Sequence, residues 1–401
     1  MHISSFYAID STMNHYQARL EKIGDWMAEE GISLVMFEDT EGRRDASIRW
    51  LTGHPGDALL FLAVEPAAEP RNGDASTVSV SPVCKSLLMP WDIILAKAYS
   101  RADFIIPYNE FDRMPRKAIR GAVEKLKIPF GSKIEIPPVT PYPVFLDYVG
   151  ELSDFDIICR DRSAASHALD MRTIKDAEEL ALIRKAADVT NAIIGLLEKN
   201  VRSGKIKTEA DAALFIELES RKRGCEGTSF ETLAAGHDRS FGIHAFPSWT
   251  SAPFAGEGLS ILDFGLRLGG YCSDVTLTFV RDPDTQQQKM VNLVEKAAKL
   301  ATEMAVNGNE TRALAAAVDA LFSKSKKRMP HGLGHGLGLD VHEYPFIRNR
   351  SDYNWKLEPG MVFTLEPGLY DPVHGGCRLE NDILMTETGR EILTEARIIW
   401  L

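Results

Sequence analysis

Cysteine is scarce in this sequence. Five cysteines (Cys84, Cys159, Cys225, Cys272 and Cys377) are scattered over 401 residues with no CxxC pair. That pattern excludes a thiolate zinc site and a disulfide framework, and it fits a reducing cytoplasm. Long apolar runs are absent too. The longest, such as Ala58 to Val64, are far too short to span a bilayer, so no membrane association is expected. Basic charge is not in excess: 46 Lys+Arg against 57 Asp+Glu leave a net charge of −11, which argues against a nucleic-acid or anionic-membrane binder. The opening MHISSFYAIDSTMNHYQ has neither a basic n-region nor an apolar h-region, so no signal peptide is expected.

What remains is an ordinary globular composition, 44% hydrophobic and 26% charged. At roughly 150 residues per domain the length allows two or three domains. The first 160 residues alternate between helical and strand patterns. Leu20, Ile23, Trp26 and Met27 share a helical face, and strands are expected at Ile32 to Phe37, Ala58 to Val64, Thr77 to Val80, Asp103 to Ile106, Lys133 to Ile136 and Asp156 to Cys159. Helices are expected at Pro115 to Lys127 and Val144 to Leu152, giving an α/β layer domain over residues 1–165. The polar stretch Arg160 to Asp176 reads as the boundary. A long amphipathic helix follows from Ala177 to Lys199, with Leu180, Ile183, Ala187, Ile194 and Leu197 on its apolar face. Further helices are expected at Thr208 to Arg223, Thr285 to Val306 and Thr311 to Lys326, separated by strand-and-turn segments. Residues 166–401 therefore read as α+β.

The chemistry concentrates in that second part. Asp263, Asp274, Glu366 and Glu380 are each unremarkable as single strand-end carboxylates. The histidines are less ordinary: His331, His335 and His342 crowd into HGLGHGLGLDVHE, interleaved with glycines that let backbone approach closely. The segment lacks the flanking strand, helix and acid of a dinucleotide loop, and His342-Glu343 does not continue into HExxH. Asp263 and Asp274 flank a Gly-Gly bend, and Glu366 and Glu380 are spaced for a second strand pair. Four carboxylates brought together repel unless cations neutralise them. Two divalent ions balance their charge, with one neutral imidazole as the fifth ligand. Such an oxygen-rich set suits Mn²⁺, Co²⁺ or Fe²⁺, with Zn²⁺ possible.

The strings LDFG…YCSDVTLT, HGLGHGLGLDVHEYP, GMVFTLEPGLY and CRLENDILMTE, in this order, resemble the signature of the M24 metallopeptidases. The resemblance implies a pita-bread α+β catalytic domain holding two divalent metal ions per chain, manganese first. Asp263 would bind one ion, His335 and Glu366 the other, and Asp274 and Glu380 would bridge both. RWLTGH (Arg49 to His54) and RTIKDAEELALIRKAAD resemble the N-terminal domain and linker helix of creatinase and prolidase relatives. That implies an α/β creatinase-like N-terminal domain, a homodimer, and cleavage of the bond before proline in a small peptide. Glu366 would take the proton of the attacking water, and His244 and His342 would contact the scissile peptide, with His237 a weaker alternative to His244. Arg378 would support Glu380 by a hydrogen bond.

The chain departs from the family at three places. Phe346 stands where many prolidases carry an arginine for a dipeptide carboxylate, with Arg348 and Arg350 nearby. Leu277 replaces another frequent arginine, and the Gly236 to His244 segment is longer than the common pattern. Two other readings stay open at this stage: a metal-dependent hydrolase or lyase for a small non-peptide substrate, and a non-catalytic binding protein on the same fold.

Overall fold

The computed structural model describes residues 13–64 and 83–401 of the chain. The chain divides into two compact units, Met1–Asp170 and Met171–Leu401.

In the first unit, β1 (Leu34–Asp39), β2 (Ala58–Val64), β3 (Cys84–Pro90), β4 (Phe104–Ile105), β5 (Lys133–Glu135) and β6 (Asp156–Ile158) form one sheet in the order β4-β3-β2-β1-β5-β6. Its helices are α1 (Met13–Glu29), α2 (Ser47–Thr52), α3 (Ile93–Tyr99), α4 (Pro115–Lys125), α5 (Tyr142–Glu151) and α6 (Ala164–Met171). The β1–β2 and β2–β3 pairs are antiparallel, whereas β5 and β6 join in parallel. Leu34, Met36, Leu59 and Phe61 pack with Ile119 and Ala122 of α4 and Tyr148 of α5. Ile23 and Met27 of α1 are fully buried, as their shared face requires, and α1 packs against β2 and β3.

Several sequence expectations are corrected here. The first strand begins at Leu34, not Ile32, because the amide of Ile32 closes the end of α1 on the carbonyl of Met27. The helix expected from Val144 starts at Tyr142, since Pro143 suits a first helical turn. The stretch from Arg160 to Asp176, expected as the boundary, contains α6, and the division between Asp170 and Met171 falls within it. The strand expected at Thr77 to Val80 lies outside the described residues.

The second unit opens with α7 (Ala177–Arg202) and α8 (Glu209–Lys222). Both start in capping boxes, Asp176 with Glu179 and Thr208 with Asp211, which satisfy the first free amides. Then come β7 (Gly227–Thr228), β8 (Leu233–Ala235), β9 (Gly258–Phe264), β10 (Leu266–Leu268), β11 (Tyr271–Cys272) and β12 (Val275–Arg281). A second helix pair follows, α9 (Thr285–Met304) and α10 (Thr311–Lys324). After it come β13 (Gly334–Gly336), β14 (Glu343–Ile347), β15 (Val362–Leu365), β16 (Gly368–Asp371), β17 (Gly375–Arg378), β18 (Asn381–Thr386), β19 (Gly389–Ile392) and β20 (Ile398–Trp400).

Two sheets, β20-β12-β9-β8 and β14-β13-β15-β18-β19, carry the architecture. They follow one plan: a long antiparallel pair, β9 with β12 and β15 with β18, interrupted by a short hairpin. One apolar core holds α9 and α10 with β15 and β18, and another holds α7 and α8 with β9 and β12. An isolated bridge between Thr276 and Glu380 ties the two sheets together, with the Glu380 amide donating to the Thr276 carbonyl at 3.2 Å.

Candidate metal centre

Each acidic residue singled out in the sequence stands where a long strand pair gives way to its inserted hairpin. Asp263 lies on β9 opposite Thr276 of β12, and Asp274 immediately precedes β12. Glu366 immediately follows β15 and Glu380 immediately precedes β18, with Leu365 paired to Asn381. The sheet bridge at Thr276 and Glu380 joins the two hairpin mouths. His335 comes from the middle of β13, which pairs with β15. Its neighbours must be glycine: a Cβ on Gly334 would meet the Thr364 carbonyl oxygen at 1.9 Å, and one on Gly336 the Tyr344 oxygen at 2.0 Å.

Ligand atoms of Asp274, His335 and Glu380, all three buried, lie within 4.8 Å of one another. Nε2 of His335 is 3.7 Å from Asp274 Oδ2 and 3.7 Å from Glu366 Oε1. Asp263 joins through Arg378, whose Nη2 pairs with Asp263 Oδ2. The expected direct bond from Arg378 to Glu380 is replaced by a relay. Arg378 Nε donates to Thr276 Oγ1 at 3.0 Å, and that hydroxyl donates to Glu380 Oε2 at 2.6 Å. Residue 378 is on β17, where its fork is taken up by Asp263, by the Ile243 carbonyl at 3.1 Å and by Tyr370 Oη at 2.9 Å.

The electrostatics are those of a site short of positive charge. Burial, with the charges of Glu380 and Asp263, drives the Asp274 carboxyl well above the ordinary range. Burial and the Glu380 charge do the same to Glu366. Glu380 is pushed up to about 7 by burial and by Asp263. His335 is depressed to about 3, chiefly by burial and then by His342, so its imidazole is neutral. Its Nδ1 faces the Gly336 carbonyl at 3.2 Å, which fixes the proton there and leaves the Nε2 lone pair facing the carboxylates.

These features fit bound cations. Among the described residues, the enclosed Oδ1 atoms of Asp263 and Asp274 have no hydrogen-bond partner. The donor set consists of carboxylate oxygens and one neutral imidazole, as hard or borderline divalent ions require.

Around this centre stand three further histidines. The His342 ring is 4.1 Å from that of His335, and burial holds its pKa below the usual value. His244 is exposed and lies within electrostatic reach of both His342 and His331. His237, the weaker alternative, lies instead beside Gln287 and Gly258. His331 has a place that sequence reasoning did not assign: Nδ1 lies 3.8 Å from Glu366 Oε2, and Nε2 is 2.9 Å from Tyr370 Oη. Burial and the Arg378 charge depress it to about 4. Tyr370, Thr276 and Asp382 were also missed. Asp382 is fully buried and accepts the Asp274 amide at 3.1 Å. Its only sequence signal was its two-residue step from Glu380, which puts both on one strand face.

His342 is steadied by its neighbour. The fully enclosed Glu343 pairs with Arg172 and, at 3.3 Å, with Lys175, while Arg172 also reaches Asp340 at 2.8 Å.

The sequence matches the model of Metallopeptidase family M24 over residues 181–387. It is 34% identical to the "Putative dipeptidase YkvY" of Bacillus subtilis, across 94% of this chain and 97% of that protein. It is 33% identical to the "Xaa-Pro dipeptidase" of Pyrococcus furiosus, across 56% of this chain and 64% of that protein. The structure resembles that of an Xaa-Pro dipeptidase from Bacillus anthracis with a TM-score of 0.78, at 23% identity, covering 96% of this chain and all of the other. The second unit thus has the pita-bread architecture and the first the α/β layers expected of such relatives. Matched over half its length by the family model and over nearly all of it by a curated relative, the chain belongs to metallopeptidase family M24.

Proposed function

We propose that this metallopeptidase hydrolyses the peptide bond preceding proline in small peptides, with two divalent ions held by Asp263, Asp274, His335, Glu366 and Glu380. The observation that supports it most is the convergence, on a neutral imidazole, of buried carboxylate oxygens that lack a donor among the described residues. When bound, ions of this kind lower the pKa of water towards about 7 and polarise a carbonyl. Glu366 takes the proton of the attacking water and passes it to the leaving nitrogen. His342 and His244 steady the scissile carbonyl as its oxygen gains charge. His331, neutral and bonded to Tyr370, presents a fixed tautomer beside Glu366. Arg378 and Thr276 hold Asp263 and Glu380 in place. The names of the Pyrococcus and Bacillus relatives support the Xaa-Pro assignment.

Under this reading the native ion is manganese, with cobalt, iron and zinc as alternatives, and residues 1–165 form the creatinase-like domain of a cytoplasmic homodimer. No helix among the described residues is long and apolar enough to cross a membrane.

A panel of Xaa-Pro peptides and non-peptide amides, with added Mn²⁺ or Co²⁺ and mass-spectrometric product analysis, tests the proposal. Cleavage confined to bonds before proline is expected, and Asp274→Ala or Glu380→Ala should lose both bound metal and turnover. Turnover of the non-peptide amides alone would replace it with the small-molecule hydrolase reading.

A further inference from the structure

Beside the helix pair α9 and α10 lies a surface cavity of about 340 Å³ that shares no residue with the metal centre. Its floor is apolar, formed by Met290 and Leu293 of α9 and Leu369 of β16. Its basic rim comes from Lys289 and Lys296 of α9, Lys327 after α10, and His374 in the turn between β16 and β17. Among the described residues no carboxylate lines it. On a chain of net charge −11 this is a local reversal of sign, and the segment KSKKR, Lys324 to Arg328, strengthens it.

Two of these cations have nothing to neutralise them. Lys327 faces Asp371 at 3.7 Å, and the His374 ring faces Asp284 at 3.0 Å. Lys289 and Lys296 have no carboxylate within ion-pair distance among the described residues. They stand two turns apart on one face of α9, with Asn292 and Leu293 between them. Every residue three or four positions from either is uncharged or, at Lys299, basic, so the helix itself offers no partner. Nor does the helix dipole call for them, since neither lies in the last turn of α9, where cations are favoured.

Like charges on one rim repel until an anion joins them. Long flexible stems let both ammonium groups close on a single anion. A phosphomonoester carries about −1.5 to −2 at pH 7, which matches two unpaired lysines, whereas a carboxylate has a single charge. A rim of compact ammonium groups without a guanidinium fork binds phosphate as point charges. The apolar floor adds a second requirement, an organic group on the ester that covers it.

We propose that this cavity binds a phosphorylated small molecule, with the phosphate between Lys289 and Lys296 and the apolar body on Met290, Leu293 and Leu369. The site is separate from the peptidase chemistry and does not rest on the Xaa-Pro reading.

The test titrates the metal-loaded protein by calorimetry with 1-naphthyl phosphate, 1-naphthoate and inorganic phosphate. Naphthyl phosphate should bind most tightly, because each of the others lacks either the second charge or the apolar body. Replacing both lysines, Lys289→Gln with Lys296→Gln, should weaken it about 10-fold or more and leave the bound metal unchanged. Both side chains are exposed, so the variant is expected to fold as the wild type does. Acetic anhydride labelling read by mass spectrometry locates the ligand: Lys289 and Lys296 should be protected, while exposed Lys222 on α8 reacts as before. No binding by the wild type, equal affinity of wild type and variant, or binding that leaves both lysines reactive would each overturn the site. Tighter binding of naphthoate than of naphthyl phosphate would overturn the phosphate assignment.

Discussion

Thr276 shows how much of this centre depends on a side chain that touches no ion. Its hydroxyl accepts from Arg378 and donates to Glu380, so one atom orients both a buried cation and a buried carboxylate. Thr276→Val keeps the shape and deletes that atom. The expected result is a divalent-metal affinity about 10- to 100-fold weaker, measured by competition with a chromophoric chelator, and a stability loss of about 1–3 kcal/mol because Arg378 Nε and Glu380 Oε2 each lose this bond. An unchanged affinity would mean that Arg378 and Glu380 keep their positions without the hydroxyl. The four acids and the imidazole could be picked out from sequence because their strings resemble the M24 signature and their charges balance those of two divalent ions. Thr276, Asp382 and Tyr370 could not. Their roles arise where two sheets meet, and a threonine in a run of apolar strand residues looks the same wherever its hydroxyl points.

At the level of elements, the histidine-rich segment is fixed by an ion cluster far away in sequence. Arg172 and Lys175, just before α7, close on Glu343 at the start of β14, all three with side chains only 1% exposed. Burial opposes ionisation of Glu343, yet the charges of Arg172 and Lys175 and the Asp340 amide hold its carboxyl below the usual value of 4.5. Near that value the unfolded chain binds more protons at this residue than the folded one does. Its contribution to stability is therefore full above pH 4.5 and is lost as pH falls through the lowered folded value. Glu343→Gln leaves two buried cations short of a partner and should cost about 3–5 kcal/mol at pH 7. Urea midpoints of wild type and variant should converge as the pH is taken below 4; a constant gap would show that the carboxylate charge is not the stabilising element. The periodicity of α7 was legible because its apolar face is buried along its length, with Ile183, Ala187, Ile194 and Leu197 all in the core. The short helix α6 was not, since its eight residues, AASHALDM, span barely two turns and alanines fill most of its apolar positions, which gives no phase to read.

For the whole molecule, the sheets that carry the acids are held together against their own repulsion. β9 with β12 and β15 with β18 each bring two carboxylates to a shared mouth, and the bridge at Thr276 and Glu380 is the join across which that repulsion acts. Removing divalent ions should therefore loosen these strand ends first. The first unit has a separate core, built on β1, β2 and β3 with α4 and α5, and contributes none of the five ligands. Hydrogen exchange followed by mass spectrometry, with and without a chelator at pH 8, makes the distinction local. Amides of Asp263 to Arg281 and Val362 to Thr386 should exchange faster in the stripped protein, and added Mn²⁺ should restore their protection. Amides of Leu34 to Asp39 and Ala58 to Val64 should not respond. Lowering the pH towards 5 should narrow the contrast, because protonating the acids relieves the same repulsion that the ions relieve. Uniform loosening of both units on chelation would instead assign the ions a global stabilising role, and no response anywhere would mean that the acids are neutralised without them.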